Sequence, residues 1–145
     1  MKIQSLKEFV SEIKSGNIDP IDNTLKFLDK SKKINDELKY LNAISEDFAK
    51  EETKALLKNI KHAGVLAGVP STVKDCICVK GVESTAGSAV LKGYKPLFNA
   101  TSVQRLIDSG SIIFGKNSQD EFGFGSFNTN VGVGFDIPLN PFDKT

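Results

Sequence analysis

The sequence has little cysteine, a single histidine and no long apolar run, and each shortage closes off a class of protein. Two cysteines, Cys76 and Cys78, are too few for a disulfide framework. They stand one residue apart, not at the two-residue spacing of a zinc or redox pair. With His62 as the only histidine, the chain offers three soft ligands, one short of a structural zinc site, so no metal centre is expected. No apolar stretch approaches the ~20 residues needed to cross a bilayer. The N-terminus, Met1-Lys2-Ile3-Gln4-Ser5, lacks the apolar core of a secretory signal. Charge of one sign is missing too. The 19 Lys+Arg against 18 Asp+Glu leave a formal charge of +1, without the cationic excess of a free-standing nucleic-acid binder. These readings predict a cytoplasmic or organelle-matrix protein with no membrane span and no direct contact with DNA.

What is there divides into two unlike parts. Of the 145 residues, the first 62 hold 12 Lys, 11 acidic residues and one glycine, while the rest hold 11 glycines. The first part therefore reads as charged amphipathic helices and the second as short strands and glycine-rich turns. Ser5-x-x-Glu8 is a capping box opening an inward stripe of Leu6, Phe9, Val10 and Ile13, with Gly16 just past the end. Asp19-Pro20 is an N-cap followed by proline at the first helical position, and Ile21, Leu25 and Leu28 continue at helical spacing. A third helix is predicted from about Glu46 to Lys61, facing inward with Ala49, Leu56, Leu57 and Ile60 and ending at Gly64. From Val69 to Val79 a β-branched run predicts one or two short strands, with both thiols on one face and half-buried. Asn99 to Gly110 reads as a short helix burying Val103, Leu106 and Ile107. The strand Ser111-Ile112-Ile113-Phe114 follows at once, a half-unit of an α/β sheet. Ser118-x-x-Glu121 predicts a second capping box, which also explains Glu121, so the adjacent Asp120 and Glu121 are read as structural.

Two nucleotide motifs fail on inspection. Gly110-Ser-Ile-Ile-Phe-Gly115-Lys116-Asn117 has phosphate-loop spacing, but Asn117 stands where a Ser or Thr would hold magnesium. Its four inner residues are also those of a buried strand, not of a loop with N–H groups turned outward. Gly123-Phe-Gly125-Ser-Phe-Asn128 lacks the third glycine of the dinucleotide fingerprint. His62, beside Lys58 and Lys61 at a helix end, reads as a surface residue and not as a base.

Several segments in order carry a likeness. They are Leu66-Ala-Gly-Val-Pro70-Ser-Thr-Val-Lys74-Asp75, Gly81-Val-Glu-Ser-Thr85-Ala86-Gly87-Ser88, Ala100-Thr-Ser-Val and Gly110 to Lys116. With Asp120-Glu121-Phe122-Gly-Phe-Gly125-Ser126 and Asn140-Pro141-Phe142-Asp143, they resemble the amidase signature family, and within it the branch of tRNA-amidotransferase A subunits. The resemblance implies an α/β fold: N-terminal helices over 1–65, then over 66–145 the first strands and helices of a large mixed-sheet α/β/α core. It implies a Ser–cis-Ser–Lys amidase in which Lys74 is the base and Phe124, Gly125 and Ser126 line the acyl cleft. A lysine serves as a base near neutral pH only when its ammonium is destabilised, and Lys74, after apolar Val73, is expected on an interior strand. Both family serines lie in a Gly/Ser-rich loop after the Asn-Pro-aromatic-Asp turn. No Gly-Gly-Ser-Ser-Gly run occurs in these 145 residues. The chain alone is therefore expected to be inactive, truncated before that loop, and prone to aggregate through an uncovered sheet edge and face.

The implied activity is glutamine hydrolysis supplying ammonia to a B subunit, with or without a small C subunit. That partner would carry ATP, magnesium and the misacylated tRNA, and this chain would hold no cofactor. A stand-alone amidase and a truncated, non-catalytic partner-binding module remain as alternatives.

Overall fold

A computed structural model describes residues 5–143. The first helix, α1 (Leu6–Ser15), opens on the predicted capping box. Ser5 Oγ accepts the Glu8 N–H at 3.2 Å and Glu8 Oε2 accepts the Ser5 N–H at 2.9 Å. Gly16 closes the helix in the left-handed region at φ 81°. Val10 and Ile13 are buried, but Leu6, expected inward, is 52% exposed.

Helix α2 (Pro20–Leu38) starts at the Asp19 cap as predicted, but its buried face is phased differently. Pro20, Thr24, Leu28 and Ser31 point inward, whereas Ile21 and Leu25 lie on the surface. Short polar side chains let α2 approach α3 (Glu46–Leu57) closely, and Thr24 Oγ1 meets Thr53 Oγ1 at 3.1 Å in the contact. Helix α3 stops at Leu57, before a 3₁₀ turn at Ile60–His62. Gly64 is no helix cap. A Cβ there would stand 2.6 Å from the Ser109 backbone, so glycine is required by close chain approach.

The first 65 residues are not helical throughout. Leu41–Ile44 forms β1, which joins β2 (Pro70–Lys74) and β3 (Ile112–Asn117) in a sheet of order β1-β3-β2. β1 runs antiparallel to β3, and β2 runs parallel to it. The short helix α4 (Thr101–Asp108) precedes β3 and buries Val103. β3 is central, as its unbroken apolar run requires, and both its faces are covered. Ile112 and Phe114 pack with Leu28, Leu41 and Ala49 on the α2–α3 side. Ile113 packs with Val73, Val79, Val82 and Val103 on the α4 side. The expected uncovered sheet face is not found at β3, and the exposed apolar side chains, Val90, Leu97, Phe124, Phe127, Val133 and Phe142 among them, lie outside the strands.

The pairing of β2 with β3 is irregular in one place. Ser71 pairs with Ile113 and Thr72 with Gly115, leaving Phe114 as an extra residue on β3. On the other side, Leu41 pairs with Asn117 and Ala43 with Lys116, so Asn42 bulges from β1. Of the two short strands possible in 69–79, one forms, and the chain leaves the sheet at Asp75. Cys76 is exposed and Cys78 half-buried, neither of them on a strand.

Candidate active site

Alternation along β2 buries Val73 and turns Lys74 outward at the C-terminal end of the strand. Among the described residues β2 is an outer strand of the three, not the expected interior one, and the Lys74 side chain is exposed. Register sets Lys74 beside Asn117, the last residue of β3, and the Asp75 N–H donates to the Asn117 carbonyl at 3.2 Å.

The buried lysine is Lys116, which the failed phosphate-loop match had left without a role. It is fully enclosed, at 0% exposure. Its Nζ donates to Ser84 Oγ at 2.7 Å, to the Ile77 carbonyl at 2.8 Å and to the Asp75 carbonyl at 3.2 Å, and stands 3.5 Å from Asp75 Oδ1. Burial pushes this ammonium below its ordinary lysine value, and the neighbouring Asp75 charge opposes the shift.

Asp75, 1% exposed, gathers four donors of its own. They are Asn42 Nδ2 at 2.9 Å, the Thr85 N–H at 3.1 Å, the Gly87 N–H at 3.3 Å and the Thr85 hydroxyl. The turn it holds contains Ala86 at φ 51° and Gly87 at φ 70°. Glycine is needed at 87, where a Cβ would lie 2.9 Å from the Gln119 carbonyl.

After β3 the chain turns through a single 3₁₀ turn, Glu121–Gly123, and the predicted second capping box does not form. Ser118 Oγ accepts instead from Asn128 Nδ2 at 2.9 Å, and Glu121 accepts from the buried Ser88 hydroxyl at 2.6 Å. Asp120 and Glu121 are both engaged in hydrogen bonds that hold the fold, Glu121 with Ser88, 33 residues away, and Asp120 within its own loop. The Asp120 carboxylate accepts the N–H groups of Asn128 at 3.0 Å and Asn130 at 2.8 Å, folding the 120–130 loop around itself. Gly125 sits against that carboxylate, so close that a Cβ would stand 2.2 Å from its Cγ. Phe124, Gly125 and Ser126 are all exposed on this loop. A cleft of about 450 Å³ lies by Asp75 and Thr85, and neither Lys74 nor Phe124–Ser126 lines it. Among the described residues no three His, Cys, Asp or Glu side chains cluster to hold a metal ion, and no helix is long and apolar enough to cross a membrane.

Lys74 and the Phe124–Ser126 loop thus leave the same end of the sheet, one from β2 and one after β3. Comparison with known proteins adds to this. Residues 22–145 match the family model described as Amidase. The A subunit of the mitochondrial glutamyl-tRNA(Gln) amidotransferase of Rattus norvegicus is 41% identical over 88% of this chain and 25% of its own length. Its counterpart from Bdellovibrio bacteriovorus is 35% identical over 96% of this chain and 28% of its own length. A protein solved in work on a vestigial complex and the origins of an s-triazine catabolic enzyme superposes with a TM-score of 0.86. It is 25% identical, over 97% of this chain and 31% of that one. The chain spans about a quarter of the length of the curated relatives it matches.

Proposed function

This chain belongs to the amidase family, and on that premise we propose that it carries the first part of a glutamine-hydrolysing subunit of a tRNA-dependent amidotransferase. The observation that carries the reading is its likeness to A subunits of mitochondrial and bacterial origin. Lys74, at the C-terminal end of β2, is the base of a Ser–cis-Ser–Lys triad. In its deprotonated form the amine takes a proton from a bridging serine, which activates the nucleophilic serine toward the glutamine amide. Both serines come from outside these 145 residues, so the chain alone does not hydrolyse glutamine. The ammonia passes to a B subunit, which holds ATP, magnesium and the misacylated tRNA and forms Gln-tRNA(Gln) or Asn-tRNA(Asn). The complex works in the cytoplasm or an organelle matrix. Phe124, Gly125 and Ser126 border the acyl group, where a glycine allows close backbone approach.

Lys74→Ala in the assembled amidotransferase is expected to lower glutamine-driven amidation by about 10²–10⁴-fold and to leave ammonia-driven amidation intact. Equal loss of both reactions would refute the assignment. The likeness to a solved protein described simply as an amidase, 27% identical with a TM-score of 0.80, favours a second reading, a stand-alone amidase. Glutamine-independent hydrolysis of small amides, without any requirement for tRNA or partner, would select it. Exposure of Phe124, Phe127 and Phe142 is the feature that favours a non-catalytic binding module.

A further inference from the structure

We propose that Lys116 and Asp75 form a positioning pair for the amidase reaction, fixing the backbone that immediately follows Lys74 and the 84–87 turn beside it. The proposal rests on the reading of Lys74 as the base. All three Lys116 N–H donors are spent, two on the carbonyls of Asp75 and Ile77 and one on the Ser84 hydroxyl. The Asp75 carbonyl also accepts the Ala86 N–H at 3.4 Å, and the Asp75 side chain holds Thr85 and Gly87. One enclosed ammonium and one enclosed carboxylate therefore join four segments: the β1 bulge at Asn42, the exit of β2, the 84–87 turn and the end of β3.

Stability alone is a poor account of such a pair. Apolar side chains of similar volume often do as well or better than a buried ion pair, because desolvation opposes the Coulomb attraction. What an apolar pair cannot do is hold two specified carbonyls and a strained turn in one geometry. Lys74 itself is exposed on its outer strand, so the direction of its Cα–Cβ bond is set by the main chain that Lys116 pins. Mispositioning a reacting group by an ångström costs about 10²-fold in rate, so such control matters to the chemistry.

The test uses the full chain in its amidotransferase assembly. Lys116→Met is expected to lower kcat for glutamine roughly 10–100-fold. KM should stay within about threefold, since the pair does not touch substrate. Ammonia-driven amidation should be unchanged. Hydrogen exchange should quicken about tenfold or more in peptides spanning 74–77 and 84–88 and remain as it was in α2 and α3. Ser84→Ala removes one acceptor and gives the same pattern at lower amplitude, which keeps the test decisive where Lys116→Met does not fold. An unchanged kcat overturns the proposal. So does a kcat lost together with ammonia-driven activity, or faster exchange spread over the whole chain. If Lys74→Ala leaves glutamine hydrolysis intact, the base assignment fails separately, and the positioning proposal falls with it even where exchange shows that the pair holds the turn.

Discussion

Replacing Asp75 by asparagine changes almost no volume and removes one buried charge, so it isolates the electrostatics of the pair. Two effects add. The Lys116 ammonium, fully enclosed, loses the carboxylate 3.5 Å away. The new amide NH₂ must also face groups that donate, since Asn42, Thr85 and Gly87 all point hydrogens at this position. Removing one partner of a buried pair costs about 3–5 kcal/mol, out of a total stability of about 5–15 kcal/mol for a domain. With a urea slope of about 2 kcal/mol per molar, the midpoint should fall by about 2 M. Lys116→Met should cost less, because it leaves the Asp75 carboxylate with its four other donors. The double variant should be less destabilised than the sum of the singles by about 1–3 kcal/mol. Proton linkage gives an independent check. Lys116 is depressed below 10.5 in the folded state, so between its folded value and 10.5 the unfolded chain binds more protons, and stability rises with pH across that window. Lys116→Met should abolish the rise. Urea titrations followed by circular dichroism at several pH values measure all of this. Single costs that add within about 0.5 kcal/mol would refute the reasoning.

Two further outcomes are expected. Glu46 is held at about 2 rather than 4.5 by hydrogen bonds from Lys32 and then Lys50. Its contribution is complete above pH 4.5 and lost as pH falls through about 2, so acid titration of Glu46→Gln should show a shallower loss of stability than the parent. Gly87→Ala places a methyl 2.9 Å from the Gln119 carbonyl at φ +70°, whereas Gly93→Ala meets open space at φ +84°. The first should cost about 1–3 kcal/mol more than the second by thermal unfolding, and equal melting temperatures would show that the 84–87 turn yields freely.

Much of the scaffold is legible in the sequence because its causes are local. The α1 capping box, the Asp19-Pro20 start and the Ile112–Phe114 strand each depend on residues within one element. β1 escapes such reading: four residues long and mostly half-buried, it exists because β3 offers it a ladder. The face of α2 is misread because Thr24 and Ser31, both polar, form its contact, while Ile21 and Leu25 stay at the surface. Glu121 is misread because a capping spacing is present but the partner is Ser88, 33 residues away. At the site, the Val-Lys-Asp motif singles out Lys74, and its exposure follows from strand alternation, which turns Val73 inward and Lys74 outward. The pair of Lys116 and Asp75 is 41 residues apart and is brought together by strand pairing. One signal for it is present: a lysine one glycine beyond a buried apolar run, still within the strand, must find partners or bend the strand.

That last alternative explains the extra residue at Phe114. In an unbroken ladder Ile112, Phe114 and Lys116 would share one face, and the ammonium would enter the hydrocarbon layer of Leu28 and Ala49. The bulge rotates the strand by half a period, so the cation emerges on the opposite side, where carbonyls and a hydroxyl await it. The bulged pairing thus spares this segment the cost of an ammonium buried without partners in the hydrocarbon layer. Register and charge are matched at this strand end: the one irregular step in the β2–β3 ladder is the step that brings Lys116 to its three oxygen partners.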